Sequence, residues 1–132
     1  EQTLLAVMES GSETYARRLE TFMHLIIDRC TENRRLFNVV LTYLLSAQKS
    51  GKDPESRVKR RTIRLRHLLS RLLIAGKEAG EFADFNVKDA NELLYGLIES
   101  TIYRIAILDR SNAEEMKDAV SLVIRGLVVP GR

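Results

Sequence analysis

Tryptophan is absent from this 132-residue chain, cysteine occurs once, and proline and histidine occur twice each. A lone Cys30 excludes an internal disulfide, and its place on an apolar stripe suits a reducing compartment, so a cytoplasmic location is expected. His24 and His67 lie far apart, and no Cys or His spacing resembles a zinc site, so no metal is expected. No glycine-rich phosphate loop, nucleophile beside a base, or pair of carboxylates in a cleft is legible. The expectation is therefore a protein that is not an enzyme and carries no cofactor. Long apolar runs are missing too. The longest, Leu93 to Leu108, is broken by Glu99 and Arg104 and falls short of the roughly 18 to 20 apolar residues of a membrane span. With no signal peptide visible either, no membrane partner is expected.

What is present is 45% apolar and 30% charged residues, the balance of one ordinary domain with a real core. The net charge of +3 hides an asymmetry: Lys49 to Arg71 holds nine basic residues against two acids, so that segment carries +7 and the remainder −4. Such a cluster fits nucleic acid, a membrane surface or simply a solvated helix start. The spread of the charges over several faces and the absence of interleaved aromatics for base stacking favour the solvated helix start. The chain begins at Glu1 inside a helical pattern, as a piece of a longer product would.

Helix punctuation divides the rest. Glu1 to Ser10 reads as a helix tail ended by Gly11. Ser12 or Thr14 caps a second helix whose stripe is Tyr15, Leu19, Phe22, Met23, Ile26 and Cys30. Asn33 caps a third, Arg34 to about Gln48, with Leu36, Phe37, Val40, Leu41, Leu44 and Leu45. Asp53-Pro54-Glu55 starts a fourth, which runs to about Ala79 with Leu65, Leu68, Leu69, Leu72 and Ala75 inward and Gly80 as a left-handed C-cap. Phe82 and Phe85 cover the corner. Asn86 with Asp89, and Asn112 with Glu115, open the fifth and sixth helices. No strand alternation or repeat is found, so the fold class is all-α with about six helices.

The last two helices are two-faced. On the fifth, Ala90, Leu93, Leu94, Leu97, Ile98, Thr101, Ile105 and Leu108 form one face; Glu92, Gly96, Glu99, Ser100, Tyr103 and Ile107 form another. On the sixth, Met116, Val120, Val123 and Leu127 oppose Ala119, Leu122, Gly126 and Val129. An interior helical glycine costs about 1 kcal/mol relative to alanine, so Gly96 and Gly126 point to close helix approach. Pairing with two-fold copies makes Gly96, Ser100, Tyr103, Ile107, Ala119, Leu122 and Gly126 candidate homodimer-interface residues in a four-helix bundle. The bland counterpart is that both faces are covered within one chain. Phe22, Met23, Phe37, Tyr43 and Tyr95, with His24 and His67 as polar contacts, are candidates for lining a pocket that takes a small apolar or amphipathic ligand; solid core is the alternative.

The segments LLAVMES, ENRRLFNVVL, AGKEAGEF and ANELLYGLIESTIYRIAIL, followed by a short last helix, stand in an order that resembles the C-terminal regulatory domain of the tetracycline-repressor (TetR) family of transcription regulators. The resemblance covers the whole chain and is strongest from Arg64 to Leu127. It implies a ligand-binding and dimerisation domain over residues 11–132, with residues 1–10 the remnant of a connecting helix and the helix-turn-helix DNA-binding domain absent. It further implies that the last two helices form the dimer bundle, that an inducer lies among the earlier helices, and that operator DNA is a partner only through the missing domain. The alternative function is a free-standing helical protein–protein interaction module.

Overall fold

In the computed structural model, residues 13–39, 42, 56–106, 108 and 113–129 are described. They are all-α: helices α1 (Tyr15–Glu32), α2 (Ser56–Glu78), α3 (Val87–Ala106) and α4 (Ala113–Leu127), with a further helical segment over 34–39. The first ten residues, most of the third expected helix including Tyr43, the Asp53-Pro54-Glu55 start, Ile107 and the Asn112 cap lie outside the described residues.

α1 is the central helix and packs on α2, α3 and α4, while α2 also packs on α3 and the contact between α3 and α4 is narrow. Its position follows from its sequence, because Leu19, Phe22, Met23, Ile26, Ile27 and Cys30 recur at helical spacing and all are buried. Each such side chain contributes roughly 1.5–3 kcal/mol when fully withdrawn from water. Leu68, Leu69, Leu72 and Leu73 of α2, Ala90, Leu94, Ile98 and Ile105 of α3, and Val120 and Ile124 of α4 complete the core.

The caps are largely those read from the sequence. Thr14 accepts from Arg17 N through its side chain and starts α1. Gly80 has φ 77°, and the Gly80 N–H to Lys77 carbonyl and Glu81 N–H to Gly76 carbonyl bonds, 3.0 Å each, form a complete Schellman ending for α2. Asn86 Oδ1 accepts from Lys88 N and Asp89 N at the start of α3. Asn33 differs from expectation: its side-chain amide donates back to the Arg29 carbonyl, closing α1, and only its own carbonyl serves the next segment, accepting from Phe37 N.

Two apolar residues of the expected core face of α3 and its end, and a third on the segment after α1, are turned outward. Leu93 and Leu108 are 52% and 41% exposed, and Leu36 is 61% exposed. On α3 the core accepts a narrower arc, that of Ala90, Leu94, Ile98, Thr101 and Ile105, and Leu93 falls beside it. On α4 the arc is centred on Val120 and Ile124, leaving Met116, Val123 and Leu127 half-buried.

Candidate functional site

Two features of this bundle invite a functional reading: the outer face of α3 and α4, and a groove between α2 and α3. On the outer sides of these two helices, Gly96, Glu99, Ser100 and Tyr103 of α3 and Ala119, Leu122 and Gly126 of α4 are exposed. Leu93, Tyr103 and Leu122 are large apolar or aromatic side chains that are 52%, 51% and 66% exposed. The glycines set this face apart. A Cβ built on Gly76 of α2 falls 2.2 Å from Phe82 Cε2, so that glycine makes room for the corner phenylalanine. A Cβ built on Gly96 or Gly126 meets nothing within 4 Å. Among the described residues, nothing uses the missing side chains of Gly96 and Gly126, so their cost in helix propensity of about 1 kcal/mol each is uncompensated there.

The groove has a volume of about 380 Å³ and lies between one side of α2, with Ile63, Arg66, His67, Ser70 and Ile74, and the first turns of α3, with Val87, Lys88, Asn91 and Glu92. Its floor is tied together by Asn91, which is buried and donates through Nδ2 to the Arg66 carbonyl (3.0 Å) and to Ser70 Oγ (2.7 Å). Arg66 spans the two helices above it: Nη1 lies 2.8 Å from Glu92 Oε1, and the guanidinium stacks 4.4 Å from the Tyr95 ring centroid. The lining is therefore apolar at Ile63, Ile74 and Val87 and polar at His67, Ser70 and Asn91, with charges of both signs at Arg66, Lys88 and Glu92. That combination suits an amphipathic small molecule better than a purely apolar one.

The expected pocket residues are distributed between core, seam and groove. Phe22 and Met23 are buried within the core cluster, and half-buried Phe37 packs against it. His24 joins α1 to α4: Nε2 is 3.2 Å from both the Lys117 carbonyl and Ser121 Oγ. A carbonyl only accepts, so the proton sits on Nε2 in this contact. Beside it, Lys117 Nζ lies 2.7 Å from Asp28 Oδ1, a hydrogen bond that raises the lysine pKa above its ordinary value. His67 lines the groove, and Tyr95 touches it through Arg66. Cys30 is buried, and burial pushes its thiol up to about 11. A group of three or more His, Cys, Asp or Glu side chains able to hold a metal is not found among the described residues.

Some residues that organise these features escaped the sequence pattern. Asn91 follows the core residue Ala90 and gives no sign that its amide locks α2 to α3. Glu81 follows Gly80 like any solvated acid, yet its carboxylate accepts from Tyr15 N (3.0 Å) and Ala16 N (3.3 Å), 66 and 65 residues away. Only Gly76, an interior helical glycine, left a visible signal, because such a residue calls for a close neighbour.

No described helix is long and apolar enough to cross a membrane. No protein-family model matches the chain, and neither does any curated protein or solved structure.

Proposed function

We propose that this chain is the ligand-responsive, homodimerising domain of a transcription regulator of the tetracycline-repressor type, a repressor that a small amphipathic or apolar inducer releases from operator DNA. The observation that carries the proposal is the outer face of α3 and α4: Gly96 and Gly126 open onto free space beside exposed Leu93, Tyr103 and Leu122. Small residues flanked by large apolar ones are what a close helix-to-helix contact between two copies requires, and a two-fold axis brings the same patch to itself. The groove between α2 and α3 supports ligand binding by its chemistry, with a lining part apolar and part polar. In such a regulator the inducer acts by binding two conformations unequally, so that the DNA-binding heads preceding this domain change their spacing.

Sedimentation equilibrium and native mass spectrometry test the proposal together. Wild-type protein is expected to be dimeric at micromolar concentration, and Gly96→Leu or Gly126→Leu monomeric with unchanged helical content. Mass spectra of gently purified protein are expected to carry an adduct of small-molecule mass. A wild-type chain that stays monomeric at high concentration overturns self-pairing and turns the same face over to the alternative, a module that binds a different protein.

A further inference from the structure

The first turn of α1 is closed by two groups from different parts of the chain. Thr14 Oγ1 accepts from Arg17 N (3.2 Å), the local cap. The two amides between them, Tyr15 N and Ala16 N, are taken by the two carboxylate oxygens of Glu81, at 3.0 and 3.3 Å. Helix-initial amides have no partner within their own helix, and a carboxylate there is favoured by the helix dipole as well as by the hydrogen bonds. A distant residue thus completes a cap that α1 lacks locally.

Glu81 is itself held by others. Its carbonyl accepts from Val129 N (2.9 Å), and Ala83 N donates to the Leu127 carbonyl (2.8 Å), a short antiparallel pairing centred on Phe82 and Val128. Phe82 fills the space over Gly76, and Lys77 donates to the Phe85 carbonyl and lies 3.4 Å from Asp84. The α2–α3 corner is therefore fastened on one side to the end of α4 and on the other to the start of α1.

We propose that this corner is a relay in which Glu81 caps α1 only while the pairing of residues 81–83 with 127–129 holds, so that displacement of the end of α4 uncaps the start of α1. The relay links the helix that bears Ala119, Leu122 and Gly126 to the chain entering α1. Its regulatory meaning rests on the dimer and regulator proposal above; the coupling itself does not.

Amide-resolved hydrogen exchange of the full chain tests it. Glu81→Ala is expected to speed exchange at Tyr15 and Ala16 by about 2- to 30-fold, the range for loss of a helix cap. Glu81→Gln, which keeps one acceptor, is expected to be intermediate. The decisive variant is Val129→Pro, which deletes the N–H that holds the Glu81 carbonyl without touching the carboxylate. It is expected to speed Tyr15 and Ala16 as well, and Ala83→Pro, which removes the other bond of the pairing, to do the same. Ile98→Val, a core change away from the corner, controls for general loss of stability and should leave the Tyr15 and Ala16 effect absent at matched stability. Wild-type exchange at Tyr15 and Ala16 in both proline variants overturns the relay, as does an unchanged rate in Glu81→Ala. The readout is independent of oligomeric mass, so failure of the relay and failure of dimerisation are told apart.

Discussion

Replacing Gly76 by alanine sets two opposing effects against each other. In an open helix the change stabilises by about 1 kcal/mol, because alanine restricts the unfolded chain and has the better helix propensity. Here the new methyl falls 2.2 and 2.3 Å from Phe82 Cε2 and Cδ2 and 3.1 Å from Cζ, where carbon atoms ordinarily rest about 3.5–4.0 Å apart. The ring must retreat by more than 1 Å, roughly the gap between those two separations. Phe82 is buried, and its backbone is fastened to residues 127–129 and to the Schellman ending of α2, so it has little freedom to follow. Overpacking of this kind costs about 1–3 kcal/mol, and outright expulsion of a buried phenylalanine about 3–5 kcal/mol. Net of the propensity gain of about 1 kcal/mol, a shifted ring costs about 0–2 kcal/mol and an expelled one about 2–4 kcal/mol. With Phe82 held as it is, Gly76→Ala is expected to fall between, destabilising by about 1–3 kcal/mol, enough for a drop of roughly 4–12 °C in Tm in a chain of this size. Urea titration followed by circular dichroism measures the loss directly, with an unchanged m-value showing that the unfolding transition remains the same. Shrinking the ring in Gly76→Ala/Phe82→Leu should recover part of it, giving a coupling above about 0.5 kcal/mol in the double-mutant cycle. Equal or greater stability for Gly76→Ala alone, or strict additivity in the cycle, would refute the claim that this glycine exists to admit Phe82.

Cys30 gives a test in pH: its thiol is pushed up to about 11, above the ordinary value, so the folded state favours the neutral form. That contribution is fully present below about pH 8.5 and lost as pH rises through 11, so the stability gap between wild type and Cys30→Ala should narrow by about 2–3 kcal/mol over that window; a gap that does not move with pH rules the mechanism out. Asn91→Ala removes the donor to the Arg66 carbonyl and Ser70 Oγ and is expected to destabilise by about 1–3 kcal/mol in urea. Coupling to Ser70→Ala should exceed about 0.5 kcal/mol, and purely additive losses would show that Asn91 matters only by filling space.

Much of this bundle was legible because helix signals are local. Thr14, Gly80 and Asn86 cap where the spacing placed them, and the α1 stripe from Leu19 to Cys30 is the stripe that became core. Periodicity also separated Gly96, Ser100 and Tyr103 from the buried arc of α3. It drew that arc too wide, since residues such as Leu93 sit about 100° around the helix from a core neighbour and only the actual packing partner decides which side of the boundary they take. The candidate pocket was hardest to read, because an aromatic on a helical stripe has the same pattern whether it fills the core, as Phe22 does, or borders a groove, as Tyr95 does through Arg66.

The sequence by itself determined that the described residues are all-α, where α1 begins and ends, where α2 ends and α3 begins, and that α1 must be buried. Those properties depend on residues a few positions apart, whose side chains meet through helix geometry alone. Tertiary structure alone decided that Glu81 completes the cap of α1, that Asn91 locks α2 to α3, and that Gly76 serves Phe82 while Gly96 and Gly126 face open space. Each of these depends on which helix lies against which, and for a single polar side chain or glycine that choice leaves no periodic trace along the chain.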